Sequence, residues 1–157
     1  MFFNIFFIIL LALASLSVAI IATTDYRRRI IPDLALFPLL LIGLILDTFY
    51  RWPVDITTGV IGATFGYIMT TIIGILFEHH LRHKKNNHLK APIGLGDIKL
   101  ISVGGLWLGT TGLGYALFIA CLLGGIWSYR NSQRYIPFGP FFVIGAILTL
   151  IARPFLL

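Results

Sequence analysis

The sequence is poor in charged residues and in cysteine, and both shortages exclude broad classes of protein. Only 11% of its 157 residues are charged and 58% are hydrophobic, whereas a soluble domain has about 25% charged residues. This composition is typical of an integral membrane protein. The single cysteine, Cys121, excludes an internal disulfide and a thiolate zinc site. Because Cys121 lies inside an apolar run, we expect it to be a small buried hydrophobic side chain.

Acidic residues are also scarce, since 12 Lys and Arg stand against 6 Asp and Glu and give a net charge of +6. Such an excess can indicate nucleic-acid binding. Here the basic residues fall in short segments between apolar runs, as the positive-inside rule expects of membrane proteins. We therefore predict that this chain lies in a lipid bilayer and does not bind nucleic acid.

The apolar runs predict an all-α, polytopic membrane helix bundle of about six transmembrane helices, forming a single domain over 1–157. A span needs about 20 apolar residues, and the runs are 2–23, 34–46, 56–77, 100–127 and 136–152. The fourth run is long for one helix, and Gly109-Thr110-Thr111-Gly112 near its middle predicts a turn between two short spans. In the third run, Gly59, Gly62, Gly66 and Gly74 predict a face for close helix packing.

The first run has an alternative interpretation as a secretory signal peptide, because Ser17-Val18-Ala19 resembles a cleavage site. Its start carries no basic residue, however, and the run exceeds the roughly 7–15 residues of a signal core. We expect it to be a retained first helix.

The charge distribution orients the predicted helices. With the amino terminus outside, segments 24–33, 78–99 and 129–135 face the cytoplasm and hold all the Lys and Arg except Arg51 and Arg153. Within them, residues 78–93 are predicted to form a basic cytoplasmic loop. This topology places Asp25 and Asp97 on the same side of the membrane, as two cooperating carboxylates require.

Asp97 follows two glycines in Gly94-Leu95-Gly96-Asp97 and precedes an apolar run. An acid at a membrane boundary is costly and is a candidate functional residue. Gly94 and Gly96 would let an extended peptide approach the carboxylate without side-chain obstruction. The alternative is that Asp97 caps the helix, and the two interpretations are compatible.

Two further acids lie on the predicted cytoplasmic side. Asp25 precedes Tyr26 and the arginines at 27–29, so it could be a solvated boundary residue paired with those arginines. Asp33 follows Pro32 at the start of the second run, which is typical of a helix start and predicts a capping role.

The remaining polar residues offer weaker chemistry. Asp47 and Asp55 are predicted on the opposite side, beside Arg51, so we do not expect them to act with Asp97. Histidines at 79, 80, 83 and 88 have no accompanying acid or thiol cluster, and we predict no metal site. No serine has the Gly-x-Ser-x-Gly setting of a hydrolase nucleophile.

Three motifs occur in order along the chain, and together they resemble one family. They are Asp25, six residues and then Pro32-Asp33; Gly94-Leu95-Gly96-Asp97-Ile98-Lys99-Leu100; and Ile136-Pro137-Phe138-Gly139-Pro140. This combination is similar to the type IV prepilin leader peptidases, the bacterial GxGD membrane aspartic proteases (peptidase A24). The resemblance extends from the first predicted helix to the last.

The resemblance implies an aspartic endopeptidase with Asp25 and Asp97 as its catalytic pair and no cofactor. It implies cleavage of the short basic leader of type IV prepilins or pseudopilins, after a glycine, at the cytoplasmic face of the bacterial inner membrane. Such substrates belong to type IV pili and type II secretion. The motif residues expected to support substrate or site are Pro32, Asp33, Gly94, Gly96, Lys99, Pro137 and Gly139.

Two departures from the family pattern bear on activity. Longer members carry an amino-terminal domain with two Cys-x-x-Cys pairs and also methylate the new amino terminus. This chain has one cysteine and begins in an apolar run, so we expect a peptidase without N-methyltransferase activity. Many members also have an acid where this chain has Ala91.

Three other functions are compatible with the residues alone. One is a GxGD protease with a different membrane substrate. Another is a small proton-coupled transporter that relays protons through Asp25 and Asp97, although such transporters have two related halves and this sequence shows no such symmetry. The third is a non-catalytic assembly subunit whose aspartates cap helices.

Overall fold

Five helices account for nearly all of the residues that the structure describes. The computed structural model describes residues 5–83, 93–131 and 136–156. The helices are α1 (Ile5–Arg28), α2 (Asp33–Ile45, continued by the π-helical turns Leu46–Tyr50), α3 (Ile56–His83), α4 (Leu95–Asn131) and α5 (Phe138–Leu156). They coincide with the apolar runs, and the all-α class predicted from the sequence is confirmed.

Helix α4 is broken at Gly109 and doubles back on itself. Gly109 has φ 70° and ψ 178°, a conformation open almost only to glycine. Two α3 glycines one turn apart each contact both parts of α4: Gly62 against Gly105 and Gly109, and Gly66 against Ile101 and Leu113. We call residues 95–108 the first arm of α4 and residues 110–131 the second arm. From Gly62 to Gly66, the contacted residue number falls in the first arm and rises in the second, so the two arms are antiparallel. The predicted turn therefore lies at Gly109, and the residues after it already belong to the second arm.

The bundle contains enough apolar helix to cross a membrane several times. Four helices are long and apolar enough to span it: α1, α2 with its π-helical turns, α3 and α4; the shorter apolar stretch Phe138–Ala152 lies in α5. Because α4 reverses at Gly109, the described residues form six helical segments. Large apolar side chains such as Phe65 and Ile72 point outward from α3, as expected where lipid replaces water.

Helix α1 is an integral part of the bundle. Phe7, Leu10, Ala14 and Ile21 are buried in the core, and α1 packs against both α2 and α5. These contacts fix the carboxyl-terminal end of α1, where Asp25 lies.

The predicted glycine face of α3 is confirmed at three positions and is wrong at the fourth. A Cβ built at Gly59, Gly62 or Gly66 would come within 3.1 Å of a backbone atom of α4, whereas one at Gly74 would meet nothing within 4 Å. Because glycine has no side chain, α3 and α4 pack backbone against backbone over two turns of α3. Gly74 lies beyond that contact.

Replacement of Gly105 by alanine is expected to destabilise the bundle. The new Cβ would overlap the carbonyl oxygen of Gly62, so the two backbones would have to separate. Overpacking of this kind costs about 1–3 kcal/mol. Thermal unfolding in detergent should show a lower midpoint for Gly105→Ala than for Gly125→Ala, whose Cβ meets nothing within 4 Å. Equal midpoints would contradict this packing.

Two other predictions differ from the structure. Cys121 is exposed on the bundle surface, because it lies on the outer side of the second arm, so its predicted burial is wrong. Helix α3 continues through His83, so residues 78–83 are helical and the predicted loop over 78–93 does not begin at Glu78. Residues 84–92, including Ala91 and His88, lie outside the described residues.

Candidate active site

Asp25 is buried at the carboxyl-terminal end of α1. Its side chain is 5% exposed, and its Oδ2 accepts a hydrogen bond from the backbone N–H of Gly139 at 2.7 Å. Gly139 lies in the first turn of α5, where backbone N–H groups lack partners within the helix and the helix dipole favours a negative charge. The interpretation of Asp25 as a solvated boundary residue is therefore wrong, although the charge of Arg29 acts on it.

Asp97 lies in the first turn of α4. Its Oδ2 accepts the backbone N–H of Gly94 at 3.2 Å, and Gly94 is the residue before the first helical residue, Leu95. This is the contact by which an acid at the third helical position satisfies the free N–H at a helix start. The capping interpretation is confirmed, and the partly exposed side chain remains accessible for chemistry.

The two carboxylates lie at the same end of the bundle. They are close enough for the charge of Asp25 to act on Asp97, although 72 positions separate them in the sequence. Asp25 comes from α1, Asp97 from α4, and Gly139 from α5. Two adjacent carboxyl groups, one ionised and one protonated, can together supply a general base and a general acid.

The glycine before Asp97 permits a close approach of another chain segment. A Cβ at Gly96 would lie 3.1 Å from the Cβ of Ile31, which belongs to the short connection between α1 and α2. This contact holds the start of α4 against the segment that follows Asp25. At Gly94 the nearest atom to such a Cβ is the Oδ2 of Asp97, at 3.3 Å.

Asp33 and Lys99 form an ion pair between the start of α2 and the start of α4. The Nζ of Lys99 donates to both carboxylate oxygens of Asp33 at 2.8 Å, and the two side chains are about half exposed. The residue at the cap of α2 is Pro32, with no side-chain hydrogen bond to the helix start. The predicted capping role of Asp33 is therefore wrong, because its carboxylate is held by Lys99 instead.

The two motif prolines precede helices. The carbonyl oxygen of Pro32 accepts the N–H groups of Ala35 and Leu36 in the first turn of α2. Pro137 is buried immediately before α5. Both fit the preference for proline at a helix start, and Pro137 leads directly into the turn that contains Gly139.

Asp47 and Asp55 lie away from this site. Asp47 is fully buried and lies beside Gly59, at the end of the bundle near Gly109. The Oδ2 of Asp55 accepts the N–H of Thr57 at the start of α3. Within residues 5–83, 93–131 and 136–156, no group of three or more His, Cys, Asp or Glu side chains could hold a metal ion.

Two contacts of the site were not predicted from the residues. The bond from Gly139 to Asp25 joins two helices far apart in sequence, and no local pattern signals it. The sequence gives one weak indication of the Asp33–Lys99 pair, because the two residues have opposite charges and belong to motifs assigned to the same side of the membrane.

Comparison with known proteins gives consistent matches. A family model described as the type IV leader peptidase family matches residues 5–129. A prepilin leader peptidase/N-methyltransferase of Escherichia coli strain K12 is 31% identical over 140 residues, which cover 83% of this chain and 57% of that protein. One of Burkholderia pseudomallei strain 1026b is 32% identical over 149 residues, covering 89% and 46%. The chain thus spans about half the length of the curated relatives it matches, and no solved structure matches it significantly.

Proposed function

Because this chain belongs to the type IV leader peptidase family, we propose that it is a membrane aspartic endopeptidase. Its substrate is a type IV prepilin or pseudopilin, from which it removes the short basic leader by cutting after a glycine. The observation that supports the proposal is that Asp25 and Asp97 lie at the same end of an apolar helix bundle, close enough for the charge of Asp25 to act on Asp97.

The proposed reaction is hydrolysis by the two carboxyl groups. The ionised carboxylate removes a proton from water as the water oxygen bonds to the scissile carbonyl carbon, and the protonated carboxyl group donates its proton to the carbonyl oxygen. The carbon–nitrogen bond then breaks as the leaving nitrogen takes a proton from the protonated member of the pair and the ionised member removes a proton from a hydroxyl of the tetrahedral intermediate. The products are a leader carboxylate and a new amino terminus. Since the titration belongs to the pair, neither acid is assigned one role.

Gly139 and Gly94 position the two acids in this proposal. Each donates a backbone N–H to one carboxylate oxygen, which leaves the second oxygen of each group for substrate or water. Backbone donors at helix starts are rigid, and they hold the carboxylates without a long side chain. This arrangement supports Asp25 and Asp97 acting together.

The proposed location is the bacterial inner membrane, with the carboxylate pair at the cytoplasmic face. The distribution of Lys and Arg along the sequence supports this orientation. The scissile bond of a prepilin joins a basic leader to an apolar segment, so the bond would lie at the membrane boundary beside the pair.

The test of this function is co-expression with a prepilin in a host that lacks its own prepilin peptidase. We expect a shorter pilin on a denaturing gel and a new amino terminus directly after the leader glycine. An uncut prepilin in the presence of well-expressed, membrane-inserted protein would contradict the proposal.

The Asp33–Lys99 pair is expected to support cleavage by holding the start of α2 against the start of α4. Because the pair is half exposed, its loss should weaken cleavage by no more than about fivefold, equivalent to about 1 kcal/mol. Asp33→Lys and Lys99→Asp should each be slower than wild type, and the double variant that exchanges the charges should recover most of the rate. Cleavage rates of the four proteins form a double-mutant cycle. A double variant no faster than the slower single variant would exclude this role.

A further inference from the structure

An apolar groove runs along the bundle from about one helical turn inside the carboxylate pair toward the opposite end. Its volume is about 450 Å³, and its walls come from α1, α2, residues 100–108 of the first arm of α4, α5 and Trp52. Apart from Ser15 and the two tryptophan indoles, its lining side chains are wholly apolar. Ser15 and Ala19 are exposed on the α1 wall, so the groove is open along one side.

The groove begins one helical turn inside the proposed active site. Ala22 lies three residues before Asp25, Leu100 three residues after Asp97, and Phe142 three residues after Gly139, and all three line the groove. Each helix that supplies a group to the site therefore also supplies the wall directly beneath it. A segment lying in the groove would reach the carboxylates without crossing another helix.

An aromatic cluster borders the far end of the groove. Trp52 stacks edge-on against Phe7 and Trp107, and the Nε1 of Trp107 donates to the carbonyl oxygen of Leu39 at 3.1 Å. Along α1 the lining extends from Ala22 to Leu11, which is a rise of roughly 16 Å at about 1.5 Å per residue. This length accommodates about three turns of an α-helix.

Small residues dominate the α1 wall. Ala14, Ser15, Ala19 and Ala22 all line the groove, and in membranes such residues allow two helix backbones to approach closely. An acyl chain needs no such surface, because it adapts to larger side chains as well. The combination of small residues with direct continuity to the carboxylates favours a helix over a lipid.

We propose that this groove receives the first three turns of the substrate's apolar membrane helix, immediately after the scissile bond. The inference rests on the proposed function and names the surface that binds its substrate. Because α1 runs toward the site and the substrate helix runs away from it, the two helices lie antiparallel. At about 1.5 Å per residue, Ala22 then faces roughly the third residue after the cut, and Ser15 roughly the tenth.

Blocking the groove tests this assignment. Ala19→Trp should slow cleavage of a full-length prepilin by about tenfold or more, equivalent to about 1.4 kcal/mol of lost binding, and mainly by raising KM. The matched control is Ile20→Trp, at nearly the same depth on the same helix, because Ile20 is exposed and does not line the groove. We expect the control to cleave within about twofold of wild type, a difference below 0.5 kcal/mol. Equal rates for the two variants would overturn the groove assignment.

Disulfide cross-linking measures the same contact without depending on the rate. Ala22→Cys and Ser15→Cys are each combined with Asp97→Asn to keep the prepilin uncut, and single cysteines are scanned through the substrate helix. The substrate position that cross-links most strongly should lie about seven residues further along the substrate helix for Ser15→Cys than for Ala22→Cys, because Ala22 and Ser15 are seven residues apart on α1. The native Cys121, exposed on the second arm, is the internal control and should give no such pattern. Cross-links without register, or equally strong at Cys121, would indicate a lipid-filled groove and overturn the proposal.

Failure of the two proposals can be told apart. If wild type cleaves, Asp25→Asn does not, and Ala19→Trp matches Ile20→Trp, the groove assignment falls while the proposed function stands. If wild type itself leaves the prepilin uncut, both fall.

Discussion

Replacement of Asp25 or Asp97 by asparagine is expected to lower leader cleavage by at least about 100-fold, the lower range for removal of a general acid or base. Asparagine keeps the size of the side chain and can still accept the N–H of Gly139 or Gly94, so the packing of each helix start is retained. It cannot carry the proton from water or donate it to the carbonyl oxygen. The double variant should be no worse than the poorer single variant, because the two groups act as a unit. Initial rates with a prepilin, at matched membrane levels of each variant, measure the effect.

Asp55→Asn is the matched control for these variants. Asp55 also accepts a backbone N–H at a helix start, but at the far end of the bundle, and the Asn variant should cleave at close to the wild-type rate. If Asp25→Asn or Asp97→Asn retained normal cleavage, the catalytic pair would be wrong. If Asp55→Asn lost as much activity, the losses would reflect helix capping and not proton transfer.

Replacement of Gly139 by alanine is expected to lower cleavage by about 100-fold, as misplacement of a reacting group by about 1 Å can do. The new Cβ would lie 2.8 Å from the Oδ2 of Asp25 and 3.1 Å from its Cβ. The carboxylate or the first turn of α5 must then move, and the 2.7 Å hydrogen bond between them lengthens. Since alanine favours helix more than glycine does, the loss cannot come from helix propensity. The cleavage rate and the thermal midpoint should be measured together, with the rate falling far more than stability.

Gly114→Ala is the control for Gly139→Ala. A Cβ at Gly114 meets nothing within 4 Å, so we expect a normal cleavage rate and an unchanged or slightly higher midpoint. A fully active Gly139→Ala would show that the position of Asp25 does not depend on this contact. Gly139→Ser should be at least as impaired as the alanine variant, because its side chain is larger at the same point.

The fold class could be predicted from the sequence, and so could the location of Asp25 and Asp97 at the same end of the bundle. Apolar runs long enough to cross a membrane admit little besides helices, and the positive-inside distribution then decides which ends share a side. Gly109 was within the predicted turn because only a few residue types tolerate a chain reversal of this kind. The prediction that the two acids act as a pair came from the resemblance to a peptidase family. The structure is consistent with that prediction, because both acids lie at the same end of the bundle.

The errors concern side-chain partners and rotation about helix axes. Asp33 has the sequence pattern of a cap, but its partner, Lys99, comes from a helix 66 positions away. Cys121 lies in an apolar run, and in a membrane protein an apolar residue is as compatible with a lipid-facing surface as with the core. The end of α3 extended past Glu78 because basic and histidine residues can continue a helix beyond its apolar part. These features depend on tertiary packing, which local patterns do not encode.

The catalytic pair is tested by the product that the purified protein forms from a purified prepilin in liposomes, identified by mass spectrometry. We expect a single cut after the leader glycine, and no product with the variant carrying both Asp25→Asn and Asp97→Asn. Cleavage at the same glycine by that double variant would contradict the assignment of the two aspartates as the catalytic pair.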